Sequence, residues 1–139
     1  MNIIINTDGG SRGNPGPAGI GAVIANESGE VLAEVSEYIG ETTNNVAEYT
    51  ALIRALQTVK KLLGEQARDA EILVRMDSEL IVRQMQGIYK VKDPNMKKLF
   101  EEVASMRLAD ALNLVFEHVR REKNARADVL VNAAIDNAA

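Results

Sequence analysis

With 139 residues and a formal net charge of -4, the chain is sized for one domain with a core of its own. The absence of cysteine excludes disulfides, thiol catalysis and thiolate metal sites. No apolar run approaches the roughly 18 residues of a membrane span, and MNIIINTDGG lacks the charged and long apolar regions of a signal peptide, so a cytoplasmic protein fits.

Residues 2–8 read as a first strand, because Ile3-Ile4-Ile5 is a short apolar run. An aspartate, Asp8, stands at its predicted exit. The glycine-rich stretch that follows, to Gly21, contains Pro15 and Pro17 and reads as a tight hairpin into a second strand at 18–26. Those glycines serve a plain turn or a close backbone approach to a ligand, and the stretch alone leaves both readings open. No Gly-Lys-Ser/Thr follows, so it is not a common phosphate loop. Glu27-Ser28-Gly29-Glu30 is a polar turn, and Val31–Tyr38 is a third strand that completes a meander.

The loop GETTNN (40–45) ends in helix-capping residues, Thr43, Asn44 and Asn45. Beyond it Tyr49, Leu52, Ile53, Leu56, Val59 and Leu63 recur at helical spacing, and Gly64 stops the helix. Ile72–Met76 is a fourth strand ending in Asp77, and Ser78 opens a short helix to about Gln86. A connector with two lysines leads to a helix from Pro94, with Met96, Leu99, Phe100, Val103 and Met106 inward. Leu112–His118 is a fifth strand, Arg120–Ala125 a charged loop, and Ala127, Leu130, Val131, Ala134 and Ile135 face inward on a last helix. The order predicts an α/β fold with a mixed five-stranded sheet flanked by helices, a three-strand antiparallel meander plus two parallel strands.

Four carboxylates stand out against this frame. Asp8 and Asp77 end apolar strands, where open α/β sheets bind ligands. Glu48 and Asp128 lie near helix starts, where a carboxylate is also favoured electrostatically. Gathered together they would repel, and a divalent cation such as Mg²⁺ or Mn²⁺ is the simplest counter-charge for hard oxygen ligands.

DGGSRGNPGPAGIG (8–21), TTNNVAEYTAL (42–52), MDSELIVRQMQG (76–87) and HVRREKNARADVLVN (118–132) together resemble the type 1 ribonuclease H family, in family order and over nearly the whole chain. The chain is more similar to the compact archaeal-like branch than to the common bacterial form, because GIYKVKD (87–93) leaves no room for a long basic protrusion. No appended hybrid-binding domain is expected. The resemblance implies a single ribonuclease H catalytic domain over 1–139, with a ribonuclease H-like fold. It implies hydrolysis of the RNA strand of RNA–DNA hybrids, leaving 5′-phosphate and 3′-hydroxyl ends. It implies Asp8, Glu48, Asp77 and Asp128 as ligands of two Mg²⁺ ions, or Mn²⁺. Two cations roughly 3.5–4 Å apart can hold the attacking water and the leaving oxygen of a phosphodiester. By the family's division of labour, Asp8 bridges the ions, Asp77 and Asp128 complete opposite sides, and Glu48 holds the ion on the nucleophile's side. Some relatives of the compact branch also cut double-stranded RNA, which extends the expected substrates to it as a side activity. A monomer is expected, with no membrane partner.

The expected substrate contacts follow from what a hybrid presents. Reading RNA needs short polar groups and backbone amides against the 2′-hydroxyl. Gly9, Gly10, Ser11, Gly13, Asn14, Asn44, Asn45 and Ser78 suit that. Thr43, Asn14 and Asn95 resemble the family's pocket for a DNA-strand phosphate, and Lys90 and Lys92 are candidates for backbone contacts. Glu79 and Glu41 depart from the pattern, standing where relatives carry glutamine and a basic residue, and each weakens an expected contact. His118, the only histidine, is expected to be structural. Arg121, seven residues before Asp128, is expected to assist turnover in place of the mobile histidine of common bacterial relatives. Two rival readings are a binding module without catalysis, disfavoured by the four carboxylates, and a small metal-binding protein without a nucleic-acid partner.

Overall fold

The computed structural model describes residues 2–138. Strands β1 (Asn2–Ser11), β2 (Gly16–Asn26) and β3 (Val31–Thr42) form the meander. Helix α1 (Asn44–Leu63) and a 3-10 turn lead to β4 (Glu71–Met76). Helices α2 (Glu79–Met85) and α3 (Pro94–Ala109) precede β5 (Asn113–His118), and a second 3-10 turn (Arg121–Asn124) enters α4 (Ala125–Ala138). The sheet order is β3-β2-β1-β4-β5, with β1 antiparallel to β2 and parallel to β4, and β4 parallel to β5. The expected mixed sheet is the observed one.

Helix ends follow their capping chemistry. Of the three capping candidates, Thr43 takes the position, and its side chain accepts from the Val46 N–H at 3.3 Å. Ser78 caps α2 in the same way, through the Ile81 N–H. Gly64 ends α1 with a φ of 58°. Asp93 caps α3, accepting from Asn95 and Met96, with Pro94 at the first helical position.

Three departures from the sequence reading exceed two residues or change the element. Strand β1 does not end at Asp8. It runs on to Ser11, because Gly9, Gly10 and Ser11 pair with Ile20, Gly19 and Ala18 of β2. What ends near Asp8 is the parallel partner: the last β1–β4 pair is Thr7 with Met76. Residues 40–42 also belong to a strand, pairing with Gly16, Pro17 and Ala18. The charged loop after β5 is wound into the second 3-10 turn, with Asn124 buried inside it.

The main core lies between the sheet and α1. Tyr49, Leu52, Ile53, Leu56 and Val59 pack on Ile3, Ile5, Ile24, Ile72, Val74 and Met76, with Met96 and Val103 from α3. Burying each large apolar side chain contributes about 1.5–3 kcal/mol. The other face is covered by α4, through Ala127, Leu130, Val131, Ala134 and Ile135. Two glycines set the layer spacing. A Cβ on Gly9 would collide with the Ala47 backbone of α1, and one on Gly21 with the Ala127 carbonyl of α4. The glycine-rich stretch therefore serves close packing of two helices onto β1 and β2 as well as the turn.

Candidate active site

Asp8 faces the cleft from β1 just where β4 has ended. Asp77 is the first residue past β4, Glu48 lies in the second turn of α1, and Asp128 lies in the first turn of α4. Close packing of α1 at Gly9 brings Glu48 down onto β1. Carboxylate oxygens of Asp8, Glu48 and Asp77 lie within 4.8 Å of one another. Asp128 lines the same cleft, of about 430 Å³, but stands outside that tight trio.

The acids are buried for charged groups: Asp8 is 7% and Glu48 8% exposed. Burial, then the charge of Asp77, pushes the Asp8 carboxyl up to about 7. A hydrogen bond with Glu48 pulls the other way, and Asp128 adds to the rise. Glu48 is raised well above the ordinary range, by burial first and then by Asp8 and Asp77. Asp77 is raised by burial, against the pull of Arg121 and His118. The Gly9 N–H donates to Asp8 Oδ1 at 3.0 Å, while Glu48 Oε2 is buried with no hydrogen-bond partner. Hard oxygen donors, mutual repulsion and an orphaned carboxylate oxygen are what a divalent cation would satisfy.

Gly9, Gly10, Ser11, Asn44, Asn45, Ser78 and Arg121 also line the cleft. Asn44 Oδ1 accepts from both the backbone and hydroxyl of Ser11, at 2.8 and 3.2 Å, and the Asn44 N–H donates to Asn14 Oδ1 at 3.0 Å. These bonds tie the hairpin tip to the start of α1. Gly13 and Asn14 at that tip, and Thr43 at the cap of α1, lie beyond the cleft's lining. Lys90, Lys92 and Asn95 are exposed on the α2–α3 connector and the start of α3, and they do not line the cleft.

The structural role expected of His118 is not one of core packing. The residue shares the side of β5 that carries buried Leu114 and Phe116, but the strand has risen past the core by residue 118. The imidazole lines the cleft instead, with Nδ1 3.8 Å from Glu79 Oε2. Arg121 is on the adjacent 3-10 turn, its side chain 86% exposed, with Nε 3.9 Å from Asp77 Oδ2. Sequence reasoning gave no role to Asn124. Its amide donates to the Thr7 carbonyl at 2.8 Å and its Oδ1 accepts from Asn6 at 3.1 Å, which pins the 3-10 turn beneath Asp8. An asparagine four residues before Asp128, in a charged loop, was the available signal.

The family model described as "Reverse transcriptase-like" matches residues 6–134. The solved structure of LC11-RNase H1, isolated from compost by a metagenomic approach, is 64% identical, with a TM-score of 0.94 over 99% of this chain and 97% of that one. The chain belongs to the type 1 ribonuclease H family. LC11-RNase H1 has also been crystallised in complex with an RNA/DNA hybrid, a structure similar to this chain at 63% identity and a TM-score of 0.94 over 98% of each chain. The family's RNase H1 from the halophilic archaeon Halobacterium salinarum is 36% identical, with a TM-score of 0.89 over 99% of both chains. A bifunctional protein of Mycobacterium tuberculosis is 48% identical over 141 residues, but this chain spans only 37% of its length. Among the described residues, no helix is long and apolar enough to cross a membrane.

Proposed function

We propose that the chain is a metal-dependent endoribonuclease that hydrolyses the RNA strand of RNA–DNA hybrids, leaving 5′-phosphate and 3′-hydroxyl ends. The observation that carries this reading is the trio of carboxylates, Asp8 and Glu48 buried and Asp77 partly so, gathered within 4.8 Å in an open cleft. The crystallised hybrid complex of the 63% identical LC11-RNase H1 supports the substrate class. Residues 1–139 act as one catalytic domain, working as a monomer in the cytoplasm.

Asp8, Glu48, Asp77 and Asp128 would hold two Mg²⁺ ions, or Mn²⁺. When bound, such ions activate water as the nucleophile and neutralise charge on the leaving oxygen. The protein's own part is placement. The Gly9–Ser11 backbone, Asn45 and Ser78 offer short polar groups along the cleft, the type of group that recognises a 2′-hydroxyl. Asn14 in the hairpin and Thr43 at the start of α1, with Asn95, would hold a DNA-strand phosphate, and Lys90 and Lys92 would follow the backbone electrostatically. Arg121 extends from a surface turn beside Asp77, where a permanent cation can stabilise phosphate charge. Double-stranded RNA is a secondary substrate, because it shares the minor-groove hydroxyls of the hybrid's RNA strand.

An end-labelled hybrid, incubated with Mg²⁺ and separately with excess chelator, tests the reading. Cleavage only with the ion, into fragments bearing 5′-phosphates, is expected. Cleavage in chelator, or products ending in a cyclic phosphate, would refute it. Double-stranded RNA and DNA duplex serve as parallel substrates, and gel filtration reports the oligomeric state.

A further inference from the structure

Tyr49 immediately follows Glu48 on α1, and its ring is fully buried in the main core. Its hydroxyl donates to Gln84 Oε1 of α2 at 2.7 Å. The bond is buried and joins two side chains of different helices. Gln84 is itself only 4% exposed.

The location of this bond is informative. Helix α2 follows directly from Asp77 and Ser78 and has only seven residues. A helix that short does not hold its own shape or direction in water. Beside the packing of Ile81, Val82 and Met85 into the core, three polar contacts hold it: the Ser78 cap at its start, a bond from Gln86 Nε2 to the Phe116 carbonyl at 2.9 Å beyond its end, and Tyr49–Gln84 in its last turn. Of these polar contacts only the third reaches α1. It therefore joins the helix that carries Glu48 to the segment that begins at Asp77. Packing alone would not select a polar pair at this place, since an apolar pair of equal shape can be nearly neutral in stability. A hydrogen bond has a narrow length and direction, whereas apolar contacts tolerate sliding.

We propose that Tyr49 and Gln84 are positioning residues: their hydrogen bond fixes α2 against α1 and so sets the spacing of the Glu48 and Asp77 carboxylates, and with it the cation affinity of the cleft. The inference rests on the cation-binding reading of the site given above. Neither side chain touches the cleft, so any effect on the cation passes through the two helices.

Mn²⁺ binding to the full chain, by titration calorimetry, tests it beside thermal melts in chelator. The proteins are wild type, Tyr49→Phe, Gln84→Met and the double variant Tyr49→Phe/Gln84→Met, with Asp8→Asn as the control for the site. Each single variant should weaken Mn²⁺ by about fivefold, less than the roughly 10–100-fold seen for groups bonded directly to metal ligands. The double variant is the decisive one. It removes both partners and so orphans neither, and its melting temperature should return toward wild type, while its Mn²⁺ affinity stays reduced. Wild-type affinity in the double variant, with lower stability in the singles, would make the bond structural only and overturn the proposal. Failure of wild type to bind Mn²⁺ more tightly than Asp8→Asn would overturn the cation site itself, and the proposal with it.

Discussion

Replacing Asp8 with asparagine should stabilise the metal-free protein while removing its activity. Burial and the charge of Asp77 carry the Asp8 carboxyl from 3.8 to about 7. That displacement corresponds to a ceiling of about 4 kcal/mol of folded-state destabilisation when the group is ionised. The direction with pH follows from which state holds the proton. Below about pH 4 both states are protonated at this carboxyl, so it contributes no difference. Between about 4 and 7 the unfolded chain releases the proton and the folded chain keeps it, so wild-type stability falls as pH rises. Above about 7 the full penalty is present. An asparagine never ionises, and its Oδ1 can keep the bond from the Gly9 N–H. In chelator at pH 8, Asp8→Asn should therefore melt roughly 5–10 °C above wild type, taking about 2–4 °C per kcal/mol and part of the ceiling. The advantage should shrink to near zero at pH 4. Excess Mg²⁺ should raise the melting temperature of wild type by mass action and leave Asp8→Asn nearly unchanged. Scanning calorimetry from pH 4 to 9, with and without Mg²⁺, measures all of this. A variant less stable than wild type at pH 8 in chelator, or a gain equal at pH 4 and pH 8, would refute the reasoning.

Arg121→Ala should lower kcat by about tenfold with the melting temperature unchanged, because the side chain is 86% exposed beside Asp77. A buried, preorganised donor would be worth more, and wild-type turnover in this variant would place phosphate stabilisation elsewhere. His118→Ala should leave calorimetric stability close to wild type, because the side chain lines the cleft and not the core, and a large loss would show a structural role. The Lys90→Ala/Lys92→Ala double variant should raise KM more than it lowers kcat, and should flatten the salt dependence of binding by roughly 1–2 in log–log slope. An unchanged slope would put the substrate away from the connector. Gly9→Ala should cost about 1–3 kcal/mol or more in denaturant melts, because its Cβ meets the Ala47 backbone and pushes α1 outward. Retention of wild-type stability would show that α1 can shift freely.

The order of elements could be read from the chain because each carries its own signal. Apolar runs marked the strands, helical spacing marked α1, α3 and α4, and Thr43, Ser78 and Gly64 marked helix ends through local capping chemistry. The four carboxylates could be named because Asp8 and Asp77 follow apolar strand runs and Glu48 and Asp128 lie near helix starts. Other features depend on what lies across the sheet. The extension of β1 to Ser11 exists because β2 offers pairing partners there after β4 has turned away, and pairing is not a local property. The tight grouping of Asp8, Glu48 and Asp77, with Asp128 further out, depends on how closely α1 sits on Gly9. His118 has the parity of core residues along β5, and only the height of the core relative to the strand end puts it in the cleft. Asn124 and the Tyr49–Gln84 pair are ordinary residues in the sequence, separated from their partners by 117 and 35 positions. Their roles come from hydrogen bonds that form only once the layers are packed, since a buried polar group takes its meaning from the partner that folding brings to it.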